Sequence, residues 1–219
     1  MVPALQRIAA PMDRDWMWEC VAAAERAGAA LALLTAAPLL GIAAVTLSLL
    51  SFRRPFIAHL RVGRYGAPLW AFKLRTMWPA TSSEGFCRGL VEYIVDDRGP
   101  CLKNRSDPRV SSRFARFCRR YSIDELPQLV NIVGGQMSFV GPRPLTAGEL
   151  KEHYGEARRE VLRIRPGLTG LWQCSGRGRL SYQERRTLDI QYARMRSLPL
   201  YFKILLRTVP TVLRGNNSW

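Results

Sequence analysis

The chain has 219 residues, 47% of them hydrophobic, and its 33 Lys and Arg against 17 Asp and Glu give a formal net charge of +16. That composition excludes a disordered tail and suits one domain with an appendage, while the charge demands a polyanionic partner: nucleic acid, anionic lipid headgroups or a pyrophosphate substrate. Only His59 and His153 are available as histidines, and Cys20, Cys87, Cys101, Cys118 and Cys174 show no paired spacing, which argues against a histidine triad, a zinc site or thiol redox chemistry. The cysteines read as reduced structural residues, and any acid, base or nucleophile is expected to be a carboxylate.

Residues 1–26 are mixed in character and lack the basic-then-apolar start of a cleaved signal peptide. Residues 27–50 then carry no charge at all. As a helix such a run reaches about 36 Å, enough for a bilayer core. Pro38 near its middle removes a backbone hydrogen bond and predicts a kink, so that the helix could enter and leave by one face. Arg53 and Arg54 follow, and the positive-inside tendency puts the downstream chain in the cytoplasm. The division expected is an N-terminal segment with its membrane helix over 1–51 and a catalytic domain over 52–219.

Residues 52–77 read as β structure around a turn at 62–66. In the second strand the period of two places Lys73 and Arg75 on one face and Phe72, Leu74 and Thr76 on the other. Two neighbouring cations suit either a solvated strand face or a phosphate site. Residues 78–107 are expected to be loops, with one short strand at 90–95. Over 110–121 the arginines Arg113, Arg116, Arg119 and Arg120 recur at helix spacing and predict a basic helical face.

Residues 121–135 look like a capped helix ending at Gly134 and Gly135, with Ser122 and Glu125 at capping-box spacing. Pro127 conflicts with a regular helix from Ser122, so either the first turn is irregular or the helix proper begins at Pro127. In both cases Asp124 and Glu125 lie at a helix N-terminus, where an ionised carboxylate is favoured and can serve as a nucleophile towards phosphorus. Arg119 lies just upstream. Arg143, held between Pro142 and Pro144, and Arg165, before Pro166, add cations on stiffened loops. The stretch 201–213 carries Ile204, Leu205, Val209, Val212 and Leu213 at helical spacing, with Lys203, Arg207 and Arg214 elsewhere. This suits a helix in the headgroup region or a buried amphipathic helix equally.

Together, Arg61-Val62-Gly63-Arg64, Phe72-Lys73-Leu74-Arg75-Thr76-Met77, Asp107-Pro108-Arg109-Val110, Ser122-Ile123-Asp124-Glu125-Leu126-Pro127-Gln128-Leu129 and the arginine-proline stretches 137–144 and 165–171 resemble the bacterial sugar transferase family. These are monotopic enzymes that transfer a phosphosugar to polyprenol phosphate and start exopolysaccharide or O-antigen assembly. The resemblance implies an α/β domain, a small mixed or antiparallel sheet surrounded by helices, with a re-entrant membrane helix and amphipathic interface helices on the cytoplasmic face of the bacterial inner membrane. It implies that Asp124 attacks the pyrophosphate of a UDP-sugar to form an aspartyl phosphosugar, which polyprenol phosphate then takes. Glu125 is the implied partner acid, Asp124 and Glu125 the implied ligands of Mg2+, and Arg119, Arg143, Arg165, Lys73 and Arg75 the implied phosphate contacts. The implied partners are the two substrates and membrane lipids, without nucleic acid; monomer and homodimer both stay open. The chain departs from the family pattern at Ala37, where a serine precedes the helix-breaking proline, at Ala58 and His59, where an Arg-Gln pair is usual, and at Ala80, where an acid often stands.

Overall fold

The computed structural model describes residues 16–78, 84–95, 110, 112–176 and 180–215. Cys101, Ala80 and residues 107–109 lie outside these. α1 (Trp16–Ser51) is one helix of 36 residues, rich in the strong helix formers Ala and Leu, and long and apolar enough to cross a membrane. Its buried face runs through Trp18, Ala22, Glu25 and Ala29 and resumes at Leu40, Ala43, Ala44 and Leu47. Leu31, Leu34, Ile42, Val45 and Leu49 are exposed. Both faces are apolar, so the helix has little amphipathic signature although one side is packed on protein. α1 is helical on both sides of Pro38, and Thr35 Oγ1 donates to the carbonyls of Leu31 and Ala32 one turn earlier.

β1 (Phe56–Val62) and β2 (Pro68–Leu74) form the expected antiparallel hairpin, joined by a 3-10 turn at Arg64–Gly66. β3 (Glu84–Arg88) and β4 (Val91–Val95) form a second hairpin, and β4 lies parallel to β1, giving a mixed four-stranded sheet in the order β2-β1-β4-β3. β4 coincides with the short strand expected at 90–95. β3 falls where a loop was expected, because Glu84-Gly85-Phe86-Cys87-Arg88 has no apolar alternation and becomes a strand through its ladder to β4. Gly89 turns this hairpin at φ +55, a conformation that costs other residues about 1–2 kcal/mol. The free edge of β2 is closed by one buried side chain: Asn131 Nδ2 donates to the Trp70 carbonyl at 2.8 Å, and its Oδ1 accepts from the Phe72 N–H at 3.3 Å.

α2 (Arg113–Arg120), capped by Ser112 Oγ, leads into a 3-10 segment (Ile123–Gln128) and α3 (Leu129–Val133). Beyond these come β5 (Ser138–Val140), α4 (Ala147–Glu149), a π turn (Leu150–Tyr154) and α5 (Arg158–Val161). β6 (Gly167–Thr169) pairs in parallel with β5, and α6 (Leu171–Ser175), α7 (Tyr182–Met195) and α8 (Leu198–Leu213) finish the domain. The expected α/β class, a small mixed sheet with helices and one long apolar N-terminal helix, is what the chain forms. α8 divides the apolar face foreseen for it: Tyr201 and Ile204 are buried, while Phe202, Leu206, Val209 and Leu213 are exposed. The helix is therefore apolar on two sides.

α1 runs through most of the core. Trp18 packs with Val140, Tyr192, Tyr201 and Ile204; Ala29 with Leu69, Leu129, Ile132 and Met137; Leu40, Ala44 and Leu47 with Leu74, Ala115, Cys118 and Ile123. A polar node fixes its position. Glu25, 6% exposed, accepts from Ser138 Oγ at 2.5 Å, the Phe139 N–H at 2.7 Å and Tyr201 Oη at 2.8 Å. Arg26 Nε bonds the Val133 carbonyl at 2.9 Å, capping the end of α3. Glu25 thus ties the N-terminal half of α1 to β5 and α8, although the composition of residues 1–26 hid it.

Removing the carboxylate strands three donors, each costing about 1–3 kcal/mol when buried and unsatisfied. Glu25→Ala is expected to lower the stability of the detergent-solubilised protein by about 3 kcal/mol in denaturant titration. Glu25→Gln, which keeps an acceptor oxygen, should lose less.

Candidate active site

The acidic pair sits where α2 turns into the 3-10 segment. Ser122 takes up a left-handed conformation, φ 56, and makes no side-chain cap, so the foreseen capping box does not form. Pro127 is accommodated inside the 3-10 segment and the regular helix starts at Leu129, in agreement with an irregular first turn. α3 is only five residues long, so its dipole is small and the field on the acids comes chiefly from side chains.

Freed from capping, Glu125 reaches across to β2, where its Oε1 lies 2.7 Å from Lys73 Nζ. Each of these side chains is about one-fifth exposed, at 21% and 22%, so the pair is partly desolvated but open to a ligand. Asp124 is 8% exposed. Burial pushes the thiol of Cys118 on α2 up to about 11, and the negative charge of Asp124 pushes it the same way, so Cys118 is neutral. Arg119, the next residue on α2, is half-buried.

Of the other cations singled out in the sequence, Arg75 and Arg165 are taken up elsewhere. Arg75 is 2% exposed; its Nε donates to the Arg54 carbonyl at 2.8 Å and its Nη2 meets Glu92 at 2.5 Å. It braces the sheet instead of sharing an open face with Lys73. Arg165 pairs with Glu19 of α1 at 3.2 Å, and Arg64 reaches the same carboxylate at 3.4 Å. The Arg61-Val62-Gly63-Arg64 turn and the Arg165 loop therefore converge on α1.

Arg143 follows β5 on a loop whose backbone is held from both sides. Gly141 N–H donates to the Thr169 carbonyl at 2.9 Å and Gly167 N–H to the Pro142 carbonyl at 2.8 Å. Gly141 and Gly167 approach so closely that a Cβ on either would strike backbone of the other loop. The Arg143 guanidinium lies 5.9 Å from the Trp172 ring centroid.

His59 links these groups. The β1–β2 register places Ile57 opposite Lys73 and His59 opposite Ala71, so His59 shares a sheet face with Lys73. Burial first, and then the positive charges of Arg61, Lys73, Arg75 and Arg143, hold its pKa down at about 3. The imidazole is neutral at physiological pH and lies in the positive field of Arg61, Lys73, Arg75 and Arg143. The departure from an Arg-Gln pair at this position was noticed in the sequence; the density of cations around it was not.

Magnesium takes hard oxygen donors and usually keeps waters and substrate phosphates with one or two carboxylates. Among the described residues there is no cluster of three or more carboxylate, histidine or cysteine side chains. Asp124 and Glu125, adjacent carboxylates of which the second is paired with Lys73, fit an ion that shares its coordination with a diphosphate.

His59 and Asp189 act in opposite senses on stability. His59, depressed from 6.5 to about 3, contributes stability above pH 6.5 that is lost as pH falls towards 3. Asp189, raised from 3.8 to about 7 by burial, contributes stability at low pH that is lost as pH rises through 7. The net profile of the native chain between pH 7 and 5 is therefore shallow. Relative to wild type, His59→Gln is expected to gain stability steadily as pH drops from about 6.5 to 5; parallel Tm-against-pH curves for the two proteins would show that His59 is not held neutral.

Comparison with known proteins follows the same residues. Residues 18–215 match the bacterial sugar transferase family. The chain is similar to the exopolysaccharide production protein ExoY of Rhizobium meliloti (strain 1021), 42% identical over 166 residues, covering 75% of this chain and 72% of that protein. It is 40% identical over 200 residues to the UDP-glucose:undecaprenyl-phosphate glucose-1-phosphate transferase of Caulobacter vibrioides, covering 87% of this chain and 69% of the relative. Against the undecaprenyl-phosphate galactose phosphotransferase of Salmonella typhimurium it is 37% identical over 164 residues, 74% of this chain but 34% of that longer protein. With its family matched from α1 through α8, the chain is an enzyme of the bacterial sugar transferase family.

Proposed function

We propose that this enzyme transfers a sugar 1-phosphate from a UDP-sugar to a polyprenol phosphate, undecaprenyl phosphate in bacteria, by way of an aspartyl phosphosugar. The observation that carries the reading is the buried Asp124 next to a Glu125 held at 2.7 Å by Lys73. Glu125 pairs with the Lys73 ammonium, and the adjacent, buried Asp124 is the acid assigned here as nucleophile. A carboxylate oxygen of Asp124 attacks the phosphorus that carries the sugar; the bond from that phosphorus to the bridging oxygen breaks, and uridine monophosphate leaves with the electron pair. The phosphate oxygen of the polyprenol then attacks the same phosphorus, the bond to Asp124 breaks, and the carboxylate is regenerated.

In this reading Lys73 and Arg143, whose positive charges both act on His59, offset the charge on the phosphoryl oxygens, together with Arg119. Asp124 and Glu125 would hold a magnesium ion, whose charge offsets that of the diphosphate. Arg75 and Arg165, already committed to Glu92 and Glu19, serve the scaffold in this reading.

The same reading seats the protein on the cytoplasmic face of the inner membrane with α1 re-entrant. The exposed apolar residues of α1 and α8 support it, as do Arg53 and Arg54 at the end of α1. Relatives named for glucose and for galactose make UDP-glucose and UDP-galactose the first donors to try.

Membranes carrying the protein, supplied with radiolabelled nucleotide sugar, undecaprenyl phosphate and magnesium, should move label into the lipid phase. Asp124→Asn is expected to reduce that transfer by roughly a thousandfold and Lys73→Met by about 10²-fold. Equal labelling by wild type and Asp124→Asn would exclude the aspartyl route.

A further inference from the structure

The Arg143 loop has a second support that the proposed chemistry does not use. Asp189 of α7 is 1% exposed and its Oδ2 accepts from Tyr154 Oη, on the π turn, at 2.9 Å. The Arg143 backbone N–H and guanidinium both act on this carboxylate, yet Oδ1 closes no hydrogen bond. A buried carboxylate oxygen without a donor is costly, and Arg143 is the neighbour whose backbone N–H and positive charge favour the ionised form. The rest of the loop is firmly set: Gly141 and Pro142 are bonded to β6 and its approach, and Thr146 closes a capping box with Glu149, which in turn accepts from Tyr182 Oη at 2.8 Å.

We propose that Asp189 is a positioning residue for the transfer reaction: its carboxylate, steadied by Tyr154, draws in the Arg143 backbone and so sets where that guanidinium meets the phosphates of the nucleotide sugar. The inference rests on the reading of Arg143 as a phosphate contact. The charge on Asp189 matters to it, because an ionised oxygen attracts an N–H far more strongly than a protonated one. Burial raises the Asp189 pKa to about 7, against the lowering effects of the Tyr154 hydrogen bond and of Arg143. The charged or titratable groups around it are Tyr154 from the π turn, Arg143 from its loop, Tyr182 and Arg185 from α7 itself, and Glu149 through Tyr182. Arg185 and Arg143 both lie against the Trp172 ring, at 5.0 and 5.9 Å, so the cationic side of the cluster is shared between α7 and the loop.

The test uses the full-length protein in detergent, with undecaprenyl phosphate saturating and UDP-glucose or UDP-galactose as donor. For wild type, kcat/KM for the donor should rise with pH through an inflection near that of Asp189, the ionised form being the competent one. Asp189→Asn is expected to raise the donor KM roughly tenfold, to change kcat by less than about threefold and to abolish the inflection. Tyr154→Phe removes a hydrogen bond that favours the ionised carboxylate, so it should move the inflection to higher pH, a response that a packing role would not produce. Arg143→Ala separates the two ideas. If Arg143→Ala leaves the donor KM unchanged, the phosphate-contact reading fails. If Arg143→Ala raises KM while Asp189→Asn keeps the wild-type profile, or Tyr154→Phe leaves the inflection in place, the positioning role alone is overturned.

Discussion

Three hydrogen bonds to one carboxylate decide how this molecule is put together. Glu25 stands on an apolar helix and takes donors from β5 and α8, so the helix that would carry the chain into a membrane is also part of the domain's core. Phe139, one of those donors, lies two residues before Gly141, where the Arg143 loop begins. Position is thereby transmitted over a short, stiff path from the helix to the Arg143 loop. Glu19 acts in parallel a little earlier on the same helix, collecting Arg64 and Arg165 from two separate turns. A helix tied by two carboxylates and packed along most of its length behaves as one body with the sheet and loops it touches.

The positive charge of the chain is distributed unevenly. A small part of it is met by ion pairs: Arg75 with Glu92, Arg165 and Arg64 with Glu19, and, on the surface, Arg194 with Glu160. Around His59 the charges of Arg61, Lys73, Arg75 and Arg143 act together on a neutral imidazole, Lys73 being paired with Glu125.

The parts legible from the sequence were those with local causes. The β1–β2 hairpin is announced by its glycines and the irregular turn at Asp124 by Pro127. What escaped depends on partners distant in the chain. Glu25 looked like an ordinary charge in a mixed segment until Ser138, Phe139 and Tyr201 folded against it. Lys73 and Arg75 alternate correctly along a strand, yet the strand ends at Leu74, and beyond it Arg75 turns inward to Arg54 and Glu92. Ser122 and Glu125 had capping-box spacing, but the left-handed backbone at Ser122 sends Glu125 to Lys73. Local propensity is a weak guide where a long-range ion pair competes with it.

Asn131 closes the margin of the sheet nearest the acidic pair, mimicking with a single amide the pattern an incoming strand would offer. A margin already satisfied in this way has little to give a neighbouring polypeptide, so chains crowded together on a lipid surface are discouraged from zipping together along β2. Any assembly that forms along that side must be built from side chains.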